Sequence, residues 1–212
     1  MIIAIVTIMI IVKSNYNKAL KTHKQNQEIE TRELKPFNGI HAKGNIKIIW
    51  SQGSPQEVKI EGNKNSLNSI KTIAENGVLN VYAEEEDKKK GIVVMHLTVD
   101  TINRFILDKC RMESDSKVSL DNVRIELHSA SYLKLKGEAN TASIYCNSNS
   151  RFSGESFTIH DGYIETENIS AAHIGKTNKL NIKAKDSSRV YYSGQPKSIN
   201  ISTSGSGSVM QN

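Results

Sequence analysis

Six isoleucines in the C-terminal half of this 212-residue chain recur at nearly constant spacing. Ile106, Ile125, Ile144, Ile164, Ile182 and Ile201 are separated by 19, 19, 20, 18 and 19 residues. A period of this length marks a solenoid, whose repeats cannot bury an apolar face alone and must stack on one another. A second series runs eight residues behind the first, at Leu133, Phe152, Val190 and Val209. It breaks step at two rungs, where Ile174 lies ten residues after Ile164 and Val118 twelve after Ile106. Each coil reads as an aliphatic strand (residues 124–127 or 181–184), a small polar corner and a second apolar position. The corners carry Ser129, Ala130 and Ser131, or Ser148, Asn149 and Ser150, or Asp186, Ser187 and Ser188. Such residues bond their own backbone and accept bent conformations.

Composition agrees with a narrow aliphatic core. Apolar residues are 37% of the chain and aromatic residues only 6%. The net charge of +6 invites a nucleic-acid reading, but half of it sits in residues 13–35 and the rest is dispersed. A nucleic-acid partner is therefore not expected, since such proteins gather basic residues on one face. Cys110 and Cys146 fall in different columns two coils apart, about 10 Å at ordinary strand spacing, beyond disulfide reach. Two free thiols are expected.

Residues 2–12 are apolar but for Thr7 and are followed by Lys13. Eleven residues are too short to span a bilayer as a helix, yet they suit the apolar part of an export signal or anchor. A buried β-branched strand is the competing reading. Residues 13–35 read as a polar linker, and the folded part begins near Pro36. Residues 46–50 and 57–60 flank a turn at residues 51–55, a hairpin candidate. Residues 70–74 and 78–82 flank Asn76-Gly77, a strong hairpin signal because both residues tolerate positive φ. The charge run at residues 84–90 reads as a solvated loop, and residues 93–99 as a further strand.

Candidate chemistry is sparse. The carboxylates beside the ladder are Asp108, Glu126, Glu165 and Asp186. Glu126 and Glu165 share a column two coils apart with Tyr145 between, roughly 10 Å and wide even for an inverting glycosidase pair. His23, His41, His96, His128, His160 and His173 show no metal-ligand spacing, although His160-Asp161 is a conceivable acid–base pair. No serine elbow and no phosphate loop is present. Catalytic, cofactor and metal residues are accordingly all expected to be none. Lys134, Lys136, Arg151, Lys183, Lys185 and Arg189 recur on neighbouring coils and could present one basic face to an acidic polymer.

The phrases of the chain resemble the putative auto-transporter adhesin head domain, or GIN domain (DUF2807), of bacteria. The likeness begins at Phe37-Asn38-Gly39-Ile40, Gly44-Asn45-Ile46-Lys47-Ile48 and Gln52-Gly53. It continues through Val58-Lys59-Ile60-Glu61-Gly62 and Asn76-Gly77-Val78-Leu79-Asn80-Val81. It closes with Val190-Tyr191-Tyr192-Ser193-Gly194-Gln195-Pro196 and the run from Ile199 to Gly207. The resemblance covers about residues 36–210. It implies parallel β-helical coils on an exported or envelope-anchored protein. Only the last coil keeps the Gly-Ser-Gly corner that the family repeats.

The expected fold is all-β, a right-handed parallel β-helix or solenoid with coils of about 19 residues, preceded by antiparallel hairpin segments. Residues 1–12 form a signal-like or anchor-like segment, 13–35 a linker and 36–212 one domain, with hairpins over 36–102 and coils over 103–210. The expected function is a non-catalytic binding or structural module of the cell envelope, periplasmic or at the cell surface. A polysaccharide-active enzyme of pectate-lyase type is the alternative. Expected partners are a glycan or an envelope or surface protein, with a membrane tether through residues 2–12 and self-association of an unprotected solenoid end.

Overall fold

The structure, a computed structural model, describes residues 27–83 and 93–212. It is 67% strand and 3% helix, a curled sheet wound into a β-solenoid of about five turns. The apolar run at residues 2–12 and the charge run at 84–90 lie outside the described residues.

Strands β2 (Gly39–Lys43), β6 (Val78–Ala83), β8 (Arg104–Asp108), β10 (Val118–His128), β11 (Tyr132–Cys146), β12 (Arg151–Thr166), β14 (Thr177–Ala184) and β16 (Ser198–Thr203) build one wall. They pair in parallel in the order β6, β2, β8, β10, β11, β12, β14, β16. The second wall holds β3 (Ile46–Gln52), β7 (Val93–Val99), β9 (Arg111–Ser114), β13 (Ala171–Ile174), β15 (Arg189–Tyr192) and β17 (Ser208–Gln211). Its parallel order is β7, β3, β9, then the N-terminal parts of β11 and β12, then β13, β15, β17.

Register places the isoleucine ladder in direct contact. Ile125, Ile144, Ile164, Ile182 and Ile201 face one another rung by rung. The first rung differs from expectation: Ile125 faces Phe105, while Ile106 faces Glu126 and is only half-buried. Alternation along a strand decides this, because shifting by one residue turns a side chain to the other face. The column continues through Ile40 to Leu79.

The second column is also more complete than its spelling suggests. It runs Met95, Ile48, Met112, Leu133, Phe152, Ala172, Val190, Val209. Ala172 holds the rung that seemed broken, next to Phe152 in the column. A Cβ on Gly154 would stand 2.4 Å from the Phe152 ring, which requires glycine there.

Uneven intervals are absorbed locally. One extra residue enters β12 after Ser153, where the pairing shifts from Lys134↔Ser153 to Lys136↔Ser156. This β-bulge lengthens one interval to 20 while Ile144 and Ile164 stay in line.

Corners are tight. Ser129 and Ala130, Ser148 and Asn149, and Asn168 and Ile169 each take successive positive φ values. The serine that follows turns inward and donates to a carbonyl: Ser150 Oγ to Leu127 O at 3.0 Å, Ser170 Oγ to Cys146 O at 2.7 Å, Ser188 Oγ to Thr166 O at 2.9 Å. Each of these carbonyls also accepts a backbone N–H from the next coil, from Asn147, Glu167 and Lys185 respectively, so the serine is a second donor and its own buried hydroxyl is satisfied. Cys110 and Cys146 are free and buried, and desolvation pushes both thiols up to about 12.

Parallel pairing starts at Gly39, so residues before 103 contribute coils as well as a cap. Strand β4 (Glu57–Gly62) does not form a hairpin with β3, because β7 lies between them. β4 instead runs antiparallel to β7 and closes the second wall. Strand β5 (Ile70–Glu75) closes the first by pairing antiparallel with β6 across Asn76 and Gly77, at φ 51° and 75°. Between β4 and β5, helix α1 (Lys64–Asn68) is capped by Asn63 Oδ1, which accepts from Ser66 N at 2.9 Å. Residues 28–31, read as linker, form the exposed edge strand β1 (Glu28–Thr31) against β4. Arg32 fixes it by donating to Ile70 O at 2.9 Å and Thr72 Oγ1 at 3.0 Å.

Phe105→Ala should lower unfolding stability by about 3–5 kcal/mol, and Ile106→Ala by clearly less, read as denaturant midpoints at unchanged slope. Equal losses would contradict the register. Ile169 is a β-branched residue at φ 64° and is 69% exposed. Ile169→Asn should therefore raise stability by about 1 kcal/mol in the same assay.

Candidate functional site

Where β10, β11, β12 and β14 pass side by side, their outer surface folds into a groove of about 550 Å³. One side carries Asn122, Thr141, Asp161 and Lys179, which face one another on successive coils. The other carries Arg124, Ser143, Tyr163 and Asn181, again in register. The floor between them is strand backbone at Ala142 and Gly162, in a column whose side chains turn inward. At strand spacing the four coils give a length of about 14 Å.

Every member of the second side immediately precedes a ladder isoleucine. The ladder points inward, so its neighbours must point out. That adjacency was a usable sequence signal for the groove, and reasoning from charged residues alone passed over it.

Charge inside the groove is matched. Lys179 Nζ lies 3.4 Å from Asp161 Oδ2, and Arg124 Nε donates to Glu126 Oε1 at 2.8 Å. Tyr163, 38% exposed, donates its hydroxyl to Glu165 Oε2 at 2.9 Å, and Lys183 Nζ stands 5.5 Å from its ring centroid. The surface therefore offers one fixed aromatic ring among amides, hydroxyls and paired ions.

The carboxylates considered for catalysis are placed otherwise. Glu126, Tyr145 and Glu165 do share a column. Glu165 is held below the usual carboxylate range, first by the hydrogen bond it accepts from Lys185. General acids need the opposite displacement. Burial, and then donation to Glu167, push the Tyr145 hydroxyl up to about 12. His160 and Asp161 do not meet: His160 Nδ1 lies 3.2 Å from Asn178 Nδ2, while Asp161 faces Lys179. Asp186 sits in a corner at φ 53°, and Asp108 Oδ1 is buried without a hydrogen-bond partner. Among the described residues no group of three or more His, Cys, Asp or Glu could hold a metal ion.

The six basic residues do not form one face. Lys183 and Lys185 stand on the first wall beside Glu165. Lys134, Arg151 and Arg189 stand on the second, and Lys136 lies past the bulge. Their recurrence in sequence reflects coil length, but the strands of one coil lie on different walls.

On the second wall, His173 stacks on Tyr191 with centroids 4.5 Å apart. Arg151 Nη2 lies 3.0 Å from His173 Nε2, and Glu155 Oε1 lies 3.5 Å from Nδ1. Arginine can only donate, so Nε2 accepts and the ring carries its proton on Nδ1. Burial, then the Arg151 charge, depress the His173 pKa despite Glu155.

Compared with known families, residues 36–196 match the one described as putative auto-transporter adhesin, head GIN domain. The chain belongs to this family. Among solved structures it is similar to a putative adhesin from Bacteroides fragilis, with 17% identity and TM-score 0.69 over 88% of this chain and 97% of that one. A putative adhesin from Parabacteroides distasonis has 11% identity and TM-score 0.51, covering 88% and 97%. One from Parabacteroides merdae has 12% identity and TM-score 0.50, covering 88% and 96%. At these identities the likeness establishes the fold. A search of curated proteins finds no match. Among the described residues no helix is long and apolar enough to cross a membrane.

Because the folded His173 pKa lies below its usual 6.5, the unfolded chain binds a proton that the folded chain refuses. Stability should be full above pH 6.5 and fall as pH drops through the folded value. Glu155 and Glu165, lowered from 4.5, extend the loss at lower pH. His173→Gln should flatten the upper part of that descent in thermal melts taken across pH and leave the carboxylate part intact.

Proposed function

We propose that this chain is a non-catalytic, adhesin-like binding module of the bacterial cell envelope, and that the groove along β10 to β14 takes a neutral glycan. The observation that carries this reading is Tyr163, held by its hydroxyl at the centre of a rigid polar groove between Ser143 and Asn181. An aromatic face packs against the C–H face of a sugar ring, while amides and hydroxyls bond its hydroxyls. Arg124 and Lys179 are already paired with carboxylates, which favours a neutral chain over an acidic one. Membership of the adhesin head family supports binding over catalysis and an exported location. Residues 2–12 supply the apolar segment for export or tethering.

On an array of bacterial and host glycans, the protein should retain a neutral oligosaccharide and release no new reducing or unsaturated ends. Tyr163→Ala should weaken that retention roughly tenfold, about 1.4 kcal/mol, with an unchanged circular dichroism spectrum. Retention that ignores Tyr163 would remove the groove from the reading, and released ends would replace binding with cleavage. Protease added to intact cells should remove a C-terminal tag; a protected tag would place the module inside the envelope.

A further inference from the structure

The first seven rungs of the isoleucine column, from Leu79 to Ile182, are at most 2% exposed. The eighth, Ile201, is 45% exposed, and Ile199 and Met210 on the same coil are each 40% exposed. Among the described residues β16 pairs only with β14, and β17 only with β15. The last coil therefore shows the solenoid interior in cross-section, beside two edge strands whose outward N–H and C=O groups lack strand partners.

Edges of this kind are normally blunted by lysine, proline or a bulge. Within β16 and β17 none of these is present, Pro196 and Lys197 standing just before β16. Residues 198–212 contain no charged residue and no proline, and both strands keep unbroken register with their neighbours. The opposite end is built differently, closed by antiparallel strands that carry Glu28, Glu30, Glu57 and Lys59.

We infer that the C-terminal coil is a self-pairing surface through which two copies of this chain join tail to tail. A head-to-tail stack would set uncharged strands on a charged, already blunted edge, whereas the tail end is complementary to itself. A two-fold axis perpendicular to the strands lays β16 antiparallel to its own copy and does the same for β17. Both walls then continue across the junction, and the contact is closed so that no filament grows. Side-chain alternation restricts the register. Only pairings centred on a residue keep Ile199 and Ile201 on the inner face of both copies. The Arg124-to-Asn181 column ends at Asn200 on β16, so pairing also brings the two outer grooves onto one side of the dimer. The pairing stands whether or not the groove takes a glycan.

The test uses the full chain in a mild detergent that keeps the apolar N-terminal run dispersed. Sedimentation equilibrium should show a monomer–dimer equilibrium, with Ile201→Lys raising the dissociation constant on the order of tenfold or more. Asn200→Cys should be joined to its own copy by a short bis-maleimide, because the native thiols are buried. Lys59→Cys at the capped end should not be joined, and Ile201→Lys should abolish the Asn200→Cys product. A monomer at all concentrations would overturn the inference, as would a dimer indifferent to Ile201→Lys or cross-linked at position 59. If Ile201→Lys fails to fold, the contrast between positions 200 and 59 still decides.

Discussion

Like side chains stacked at the spacing of hydrogen-bonded strands are what the whole structure depends on. Neighbouring strands lie about 4.8 Å apart, so each inward position must be filled by a residue that packs on its counterpart in the coils above and below. Branched aliphatics meet that demand with stiff, well-defined rotamers. The column from Leu79 through Phe105 to Ile182 answers it almost entirely with leucine and isoleucine. Fully burying each contributes roughly 1.5–3 kcal/mol, and none can do so without its neighbours. Cooperativity follows, and so does the sensitivity of the last rung, which has a neighbour on one side only.

Corners and the bulge protect that register. Positive-φ residues turn the chain at these corners, and the buried serine behind them places its hydroxyl on a carbonyl that the next coil's backbone also bonds. The extra residue in β12 is confined to the bend between the walls. Sequence spacing can therefore wander between 18 and 20 residues while the isoleucines stay in line. Outward positions inherit the same regularity. Polar groups on adjacent coils come within bonding distance and neutralise one another, as in Asp161 with Lys179 and Glu165 with Lys185. The groove beside Tyr163 owes its balanced character to this pairing.

Much of this was legible in the residues. The isoleucine period announced a solenoid, Asn76-Gly77 announced the β5–β6 hairpin, and family phrases over about residues 36–210 pointed to the same fold, the family matching over residues 36–196. Several readings went astray for definable reasons. Ile106 matched the period, but strand alternation gave the rung to Phe105. Ala172 escaped notice because its column is recognised by large apolar residues, and alanine is small. The turn at residues 51–55 looked like a hairpin because local signals cannot reveal that β7, more than thirty residues later, inserts between β3 and β4.

The sequence by itself determined the inner face: which residues point inward, how long a coil is and where it bends, since these rest on local alternation and on corner chemistry. Only the tertiary structure decided the outer face. Whether Lys134 and Lys183 share a surface, whether Tyr163 lies in a groove, and whether Ile201 is covered all depend on which strands become neighbours. That is settled by long-range register between coils, and no short window of residues contains it.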